Sequence, residues 1–351
     1  MDNRPIQAPG RDTGLDFVRA LAIVLVVLTH CASAGLSGAV GAFDWWCSLA
    51  WGSLARPSVP LFFMCTGALM LCRDSTTPRR ILIHNLPRIL CAMFVWALAY
   101  RLYWLWETNE LTRATLWDSV KRTLLLQHEF HFYYLHVLLL VYAFLPAVRV
   151  FVRSASRREL EYLLGLWAVT GILLPLLRNF WPFTLVYQIG ARYMMNMAYS
   201  AIGYALLGHY LRRYGPSIRP GWFAVAYLSG LVFTFSGCAA MSLRDGALNE
   251  IFLEGMSPGP MLMAAGLFGL IITRKAWPAP VARLTGRLAR ASFCIYLVHV
   301  FFLRRLNLLG LSAGASPCLL SIPLVCLLLL AAGWLTWEGL RHIPIVRTYL
   351  I

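Results

Sequence analysis

Residues 14–34 read GLDFVRALAIVLVVLTHCASA and form the first long apolar segment of the chain. A helix crosses a bilayer with about 20 predominantly apolar residues, so this segment is long enough to span. Two of its side chains, Arg19 and His30, can carry positive charge, and a purely structural membrane helix would contain neither. Because a charged group inside a spanning helix costs a few kcal/mol, such groups usually mark a pathway or a site. The segment therefore predicts both a membrane anchor and part of a functional site.

The spacing of Arg19 and His30 places them on one side of that helix. Eleven steps of about 100° amount to three turns plus about 20°, so the two side chains point in nearly the same direction. They stand about 16 Å apart along the axis at 1.5 Å per residue. We predict a channel with a guanidinium that anchors an anion at one level and an imidazole that performs acid–base chemistry at another.

Long apolar segments recur through the 351 residues, of which 59% are hydrophobic and 13% are charged. Soluble domains carry about 25% charged residues, and no alternation of period two points to a membrane barrel. We predict an all-α, polytopic membrane protein with about ten transmembrane helices. Residues 1–351 would form one membrane-embedded domain, with a polar tail over 1–13 and no appended soluble domain. The predicted spans are 14–34, 47–72, 81–105, 131–152, 160–177, 194–211, 221–242, 258–274, 291–309 and 316–340.

The charges are divided between alternate loops. The net charge is +16, and most arginines fall in one set of loops and at both termini, whereas most acids fall in the other set. Basic residues favour the cytoplasmic side, so we predict that both termini are cytoplasmic. Since the positive charges do not form a single stripe, we do not predict nucleic acid as a partner.

Four further segments carry polar or proline-containing motifs in a fixed order. They are RPSVPLFFMCTG at 56–67, PRIL at 87–90, HFYYL at 131–135 and SFCIYLVH at 292–299. Together with Asp16-x-x-Arg19-x10-His30, this order resembles the integral-membrane acyltransferase 3 family. The resemblance covers the chain from about residue 14 to 347.

This resemblance implies a ten-helix enzyme of the bacterial inner membrane. Members move an acyl group, usually acetyl from acetyl-CoA, to hydroxyls of cell-surface glycans or their lipid-linked precursors. The segment from Arg56 to Phe63 looks most like the short, stand-alone branch that includes the O-acetyltransferase of enterobacterial common antigen. Within the family, succinyl-CoA or another acyl donor, or a small-molecule acceptor, is an alternative.

The resemblance also implies roles for individual residues. Arg19 and His30 match the functional pair of the family's first helix. Many members have two arginines three residues apart at the start of the third helix; Arg88 matches the second of them, and Asn85 stands in place of the first. Arg80 or His84 is expected to supply the missing charge.

The chemistry of the first helix allows two interpretations for each residue. As a catalytic residue, His30 would be the general base that takes a proton from the acceptor hydroxyl. The alternative is a structural histidine bonded to a carbonyl of a neighbouring helix. Arg19 would bind the phosphates or the thioester carbonyl of the donor. The alternatives for Arg19 are an ion pair with Asp16 or extension of its side chain to the cytoplasmic surface.

The other candidate residues are assigned to the acyl donor or to the acceptor. We predict that Arg88 and Arg80 bind the phosphates of acetyl-CoA, although arginines on the cytoplasmic side also serve simply to orient the chain. Arg56 lies inside the second span, where glycan or oxyanion contact competes with extension of the side chain to the interface.

A polar stripe in the ninth span completes the predicted substrate site. Tyr296 and His299 lie on one helical face with Ser292, and His131 opens the fourth span. We assign His131, Tyr296 and His299 to substrate binding, with helix–helix hydrogen bonding as the alternative. His128, His131 and His136 have possible ligand spacing, but no Asp or Cys completes the set, so we predict no metal.

The sequence thus predicts an acyl-CoA-dependent O-acyltransferase, with an acetyl donor and a glycan or lipid-linked saccharide as acceptor. Transfer could be direct or could pass through an acylated residue. The alternative from another class is a transporter or flippase of a lipid-linked or anionic solute, which would also place arginine and histidine in a channel.

Overall fold

The computed structural model describes residues 12–74, 76–186 and 197–351 of the chain. Throughout these residues the secondary structure is helical, and they contain no strand. The helices are α1 (Thr13–Leu36), α2 (Phe43–Ala55), α3 (Ser58–Met70), α4 (Pro78–Glu107), α5 (Arg113–Leu124), α6 (Phe130–Ser154), α7 (Arg157–Leu177), α8 (Met197–Tyr214), α9 (Pro220–Asp245), α10 (Pro258–Ile272), α11 (Ala279–Leu308), α12 (Cys318–Leu340) and α13 (Pro344–Tyr349).

The predicted all-α membrane fold is confirmed. In the described part of the chain, seven helices are long and apolar enough to cross a membrane: α1, α4, α6, α7, α9, α11 and α12. Helix α10 is apolar but shorter. The sixth predicted span, 194–211, begins outside the described residues and continues in α8. Most of the polar tail predicted over 1–13 also lies outside them.

The second predicted span, 47–72, is two helices rather than one. Helix α2 ends at Ala55 and α3 begins at Ser58, with Arg56 and Pro57 between them. Proline has no amide hydrogen and its ring collides with the preceding turn, which accounts for the interruption. The break places Arg56 inside the bundle at a point where the backbone changes course.

Local capping explains several helix boundaries. The side chain of Asp12 accepts a hydrogen bond from the amide of Leu15 at 3.0 Å and caps α1. Ser156 and Glu159 cap α7 reciprocally, which satisfies two amides at its first turn. Gly246 caps the end of helix α9, and its φ of 64° is a left-handed conformation that glycine adopts without a steric penalty.

Helix α1 occupies the centre of the bundle and packs against α2, α3, α10, α11 and α12. Val18, Ile23 and Val27 on this helix are fully buried. A second tight contact joins α3 to α8, where a β-carbon on Gly67 would lie 1.8 Å from the carbonyl oxygen of Ala205. Close approach of this kind requires glycine, as is common where membrane helices cross.

Polar contacts connect the loops into two groups at opposite ends of the bundle. At the arginine-rich end, Arg212 pairs with Asp12 at 2.9 Å and Arg149 pairs with Asp74 at 3.0 Å. At the opposite end, Arg304 pairs with Glu129 at 2.7 Å. These groups agree with the alternation of loops that the charge pattern predicts.

The long loop between α4 and α6 contains an amphipathic helix, α5. Its polar residues Ser119 and Thr123 are buried, whereas Trp117 and Leu124 are 72% and 66% exposed. Apolar residues that face outward while small polar residues face the protein are typical of a helix lying in the membrane interface.

Candidate functional site

A cavity of about 530 Å³ opens between α1, α3, α4, α6, α11 and α13. We call it the donor cavity, because the sequence-based prediction assigns its arginines to the acyl donor. It runs from Arg80 and His84 at the arginine-rich end to Tyr134 and Tyr296. A volume in this range is typical of small-molecule sites. Its polar lining side chains are Arg19, Thr66, Arg80, His84, Asn85, Arg88, Tyr134, Tyr142, Ser292, Tyr296, Thr348 and Tyr349.

Three arginines from two helices face this cavity. Arg19 comes from α1, and Arg80 and Arg88 come from the first turns of α4. The side chain of Thr77 accepts from the amide of Arg80 at 3.3 Å and starts α4. A wider, π-helical turn over Ile81–Asn85 follows. Arg19 and Arg88 are close enough to repel each other, so an anion between them would relieve that repulsion.

Helix α6 contributes to the donor cavity two tyrosines that have no role in the sequence-based assignment. Tyr134 and Tyr142 flank Leu138, and all three line the cavity. Positions i, i+4 and i+8 lie along one helical face, so this repeat was a readable signal. The charge of Arg19 acts on both tyrosines.

Three histidines meet beyond the inner end of the donor cavity. The ring of His299 lies 5.0 Å from that of His30 and 5.3 Å from that of His131, measured between centroids. We call His30, His131 and His299 the histidine cluster. Phe130 contacts His30 edge-on at 5.5 Å, which closes one side of the cluster. The structure thus brings together one histidine from α1, one from α11 and one from the first turn of α6.

The tautomer of His299 follows from its neighbours. Its Nδ1 lies 2.6 Å from the carbonyl oxygen of Tyr296 and 3.2 Å from that of Ile295. Carbonyl oxygens only accept, so Nδ1 carries the hydrogen and Nε2 is an acceptor. This Nε2 is buried and has no hydrogen-bond partner among the described residues. An unpaired buried acceptor beside His30 is available to a donor from that ring or from a bound substrate.

Tyr100 forms hydrogen bonds to the turn of α11 that contains His299. Its hydroxyl donates to the carbonyl of Leu297 at 2.8 Å and accepts from the amide of Phe301 at 3.1 Å. These two backbone groups are four residues apart, as in an ordinary helical hydrogen bond, and His299 lies between them. The hydroxyl therefore fixes the backbone on both sides of His299.

Arg19 and His30 do not line one shared tunnel, although they lie on one side of α1 as predicted. Arg19 lines the donor cavity, whereas the histidine cluster is not part of its wall. Tyr134 and Tyr296 lie between them, with ring centroids 5.3 Å apart. Tyr296 also donates to the carbonyl of His131 at 2.5 Å, so this tyrosine connects the cavity wall to the cluster.

Arg56 lies near the histidine cluster rather than the donor cavity. Its guanidinium is within electrostatic range of His30 and 3.6 Å from the carboxylate of Glu250. The side chain of Arg56 is 19% exposed, and that of Glu250 is 58% exposed. The loop that holds Glu250 joins α9 to α10 at the end opposite the arginine-rich end.

The three histidines considered for a metal site are in two places. Nδ1 of His128 lies 3.2 Å from Nε2 of His136, whereas His131 faces His299. Partial burial lowers the pKa of His128, which precedes the spanning helix. No group of three or more His, Cys, Asp and Glu side chains in the described ranges has the arrangement of a metal site.

Comparison with known proteins supplies the family. A profile described as an acyltransferase domain, acyltransferase 3, matches residues 12–338, which is most of the chain. No curated protein and no solved structure gives a significant match. The matched range includes the histidine cluster and, except for its C-terminal rim, the donor cavity. A membrane acyltransferase of this kind acts on an acyl donor and an acceptor. The chain belongs to the acyltransferase 3 family.

Proposed function

We propose that this protein is an acetyl-CoA-dependent O-acetyltransferase of the bacterial inner membrane. Its acceptor would be a hydroxyl of a cell-envelope glycan or of a lipid-linked precursor. The observation that carries this proposal is the arrangement of two compartments along one axis. A cavity with three arginines lies toward one end, and a cluster of three histidines lies beyond it.

The donor cavity suits the charge and the shape of acetyl-CoA. Guanidinium groups bind phosphates through paired hydrogen bonds, and Arg19, Arg80 and Arg88 supply three of them. The opposite end of the cavity carries less charge, since aromatic side chains replace arginines there. We expect the phosphates at the arginine-rich end and the thioester near Tyr134 and Tyr296.

His30 is the proposed general base. It would take the proton of the acceptor hydroxyl while that oxygen forms a bond to the thioester carbonyl carbon. The carbon–sulfur bond then breaks, and the thiolate of CoA receives the proton from His30. Nε2 of His299 would accept a hydrogen bond from the His30 ring and orient it, as second groups do in catalytic dyads. Direct transfer and transfer through an acylated residue both use this base.

The access of the thioester to His30 depends on two tyrosines. Tyr134 and Tyr296 separate the donor cavity from His30, so one of their side chains must move before the thioester reaches the base. Tyr296 is bonded to the carbonyl of His131 at 2.5 Å, whereas Tyr134 contacts its neighbours through its ring. We propose that Tyr134 is the side chain that moves.

The acceptor would enter from the end opposite the arginine-rich end. Arg56 and Glu250 form a partly exposed ion pair beside the histidine cluster, and both can bond to sugar hydroxyls. His30 is within electrostatic range of Arg56, and His131 contacts Tyr296, with ring centroids 5.9 Å apart. In this arrangement the acceptor and the donor approach from opposite sides of the membrane.

The proposal can be tested with the full-length protein in nanodiscs and radiolabelled acetyl-CoA. We expect hydrolysis or transfer of the label by the wild type and a loss of about 10²-fold or more in His30→Ala. Arg19→Ala is expected to raise KM for acetyl-CoA. His128→Gln is the matched control, because this histidine lies outside the cluster. Absence of turnover in the wild type, or equal turnover in His30→Ala, would contradict the proposal and favour a transporter.

Mass spectrometry of envelope glycans identifies the two substrates together. Cells with the wild-type chain should carry an added acetyl mass that cells with His30→Ala lack. An added succinyl mass would preserve the transferase assignment but change the donor. No difference in any glycan would exclude a glycan acceptor.

A further inference from the structure

An exposed thiol and a buried imidazole meet at the arginine-rich end, outside the donor cavity. All nine cysteines lie in the described part of the chain, and Cys72 is the exposed one among them. Its Sγ lies 3.4 Å from Nδ1 of His209. Neither residue lines the donor cavity, and neither has a role in the proposed transfer. We call Cys72 and His209 the thiol–imidazole pair.

The crossing of α3 and α8 holds this pair together. Cys72 follows the last turn of α3, and His209 belongs to α8. A β-carbon on Gly208 would lie 2.1 Å from the carbonyl oxygen of Met64, so the two backbones are in direct contact close to the pair. The imidazole is therefore placed beside the thiol by backbone packing, before any ligand binds.

The imidazole of His209 can act as a base for the thiol. His209 is 4% exposed, and its Nε2 is buried without a partner among the described residues. A thiol donates and a neutral imidazole nitrogen accepts, so the S–H of Cys72 bonds to Nδ1 and the hydrogen of the ring is on Nε2. A histidine that only joined two helices would be expected to use both nitrogens. A cysteine within hydrogen-bond reach of a histidine is instead the arrangement that activates a thiol as a nucleophile.

Positive charge surrounds the thiol. Burial raises the pKa of Cys72, which follows α3, and the charges of Arg212 and Arg213 oppose that effect. Arg212 is paired with Asp12, whereas Arg213 is exposed and has no carboxylate partner among the described residues. Asp74, two residues after the thiol, is already paired with two arginines. The resting thiol is therefore protonated and needs a base, and the surrounding charge favours an anionic reactant.

The reactant that suits this position is a small anionic disulfide rather than the acyl donor. We expect the thioester of the donor near Tyr134 and Tyr296, at the opposite end of the donor cavity. The positive-inside rule places the thiol–imidazole pair in the cytoplasm, where glutathione and its disulfide exchange with protein thiols.

We propose that the thiol–imidazole pair is a thiol–disulfide exchange site for an anionic disulfide of the glutathione class. The sulfur of Cys72 attacks one sulfur of the ligand while Nδ1 of His209 takes the thiol proton. The bond between the two ligand sulfurs breaks, and the leaving thiolate receives that proton. One half of the ligand remains bonded to Cys72 as a mixed disulfide, so the step needs no further oxidant.

Formation of the mixed disulfide tests this site without any measurement of acetyl transfer. The reduced full-length protein in phosphatidylcholine nanodiscs is mixed with glutathione disulfide or with hydroxyethyl disulfide, which is uncharged. Peptide mass spectrometry gives the rate of modification at each cysteine. The test variants are His209→Gln and Arg213→Gln. Their matched controls are His342→Gln and Arg283→Gln, which change the same residue types in other parts of the chain.

A second comparison separates the effect of the imidazole from that of exposure. Lys275→Cys in a Cys72→Ser background presents an exposed thiol at the same end of the bundle. We expect glutathione disulfide to modify Cys72 about tenfold faster than this new thiol, because His209 supplies a base to Cys72 alone.

The variants of the surrounding residues should respond differently. His209→Gln should lower the rate at Cys72 by about tenfold or more with both disulfides. Arg213→Gln should lower it by about threefold with glutathione disulfide and leave it unchanged with the uncharged one. Both controls should match the wild type.

Two results would overturn the site itself. They are a wild-type rate in a folded His209→Gln protein, and a Cys72 that reacts no faster than the thiol of Lys275→Cys. If His209→Gln does not fold, the second comparison decides alone. An unchanged preference for glutathione disulfide in Arg213→Gln would overturn the anionic class of ligand.

Discussion

At the residue scale, His299 is the residue whose environment says most about the chemistry. Its Nδ1 donates to the carbonyl of Tyr296, and its Nε2 is buried beside His30 without a partner among the described residues. We expect His299→Gln to lower kcat for acetyl transfer by about 10²-fold, because His30 would lose the group that orients it. KM for acetyl-CoA should change little, since His299 does not line the donor cavity.

A control variant distinguishes loss of the group that orients His30 from a folding defect. His136→Gln alters a histidine that bonds to His128 rather than to the cluster. Its kcat should stay close to that of the wild type, and both variants should melt near the wild-type temperature. A normal kcat in His299→Gln, or a KM effect equal to the kcat effect, would contradict the orienting role. The pH dependence of kcat is a further readout, because a purely structural role of His299 would leave it unchanged in His299→Gln.

Tyr100 tests whether one hydroxyl holds the turn around His299. Tyr100→Phe leaves the amide of Phe301 and the carbonyl of Leu297 without the hydroxyl that bridges them. We expect the free energy of unfolding to fall by about 1–3 kcal/mol, measured by denaturant titration in detergent. Tyr103→Phe on the same helix should change it by less than about 0.5 kcal/mol, because the hydroxyl of Tyr103 makes no hydrogen bond to the described residues. Equal effects would show that the bridge contributes no stability.

At the element scale, glycine fixes the crossing of α3 and α8. A β-carbon on Gly67 would overlap the backbone carbonyl of Ala205, which cannot turn away as a side chain could. Gly67→Ala should therefore separate the two helices and cost about 1–3 kcal/mol or more. Gly165→Ala is the matched control, since a β-carbon at this position would meet no other part of the described protein within 4 Å and alanine favours the helix.

The measurement for this pair is the denaturation midpoint and the monodisperse fraction on size exclusion. We expect Gly67→Ala to lower both, and Gly165→Ala to match or exceed the wild type. Similar behaviour of the two variants would mean that α3 and α8 can move apart without loss of stability.

The sequence was sufficient to predict most helices and insufficient to predict how they meet. The apolar runs identify the spans, because length and composition determine whether a helix can cross a bilayer. Pro57, after Arg56, could have indicated a helix break, but the long apolar run around it suggested a single span. The cluster of His30 with His299 joins residues far apart in the chain, and no local pattern encodes that contact.

The sequence was also insufficient to predict which helices enclose the donor cavity. The 3.6-residue period correctly placed Arg19 and His30 on one side of α1, since helical geometry alone fixes that relation. It could not reveal Tyr134 and Tyr296 between them, because those side chains come from α6 and α11. The fold-back of the segment after α12, which brings Ile351 to Arg88, is a tertiary contact of the same kind.

At the scale of the whole molecule, the orientation in the membrane decides whether the donor can reach its cavity. Acyl-CoA is made in the cytoplasm, and the donor cavity opens at the arginine-rich end. The positive-inside rule places this end in the cytoplasm. We therefore expect Lys275 to be cytoplasmic and Glu110, in the loop that carries α5, to be outside.

Single cysteines test this orientation in a Cys72→Ser background, which removes the native cysteine that is exposed. In spheroplasts, a membrane-impermeant maleimide should label Glu110→Cys and spare Lys275→Cys. Inverted vesicles should give the reverse pattern, and permeabilised membranes should label both positions. Labelling of Lys275→Cys from outside would put Arg80 and Arg88 on the side without acyl-CoA. The assignment of the donor cavity would then fail even if the histidine cluster were catalytic.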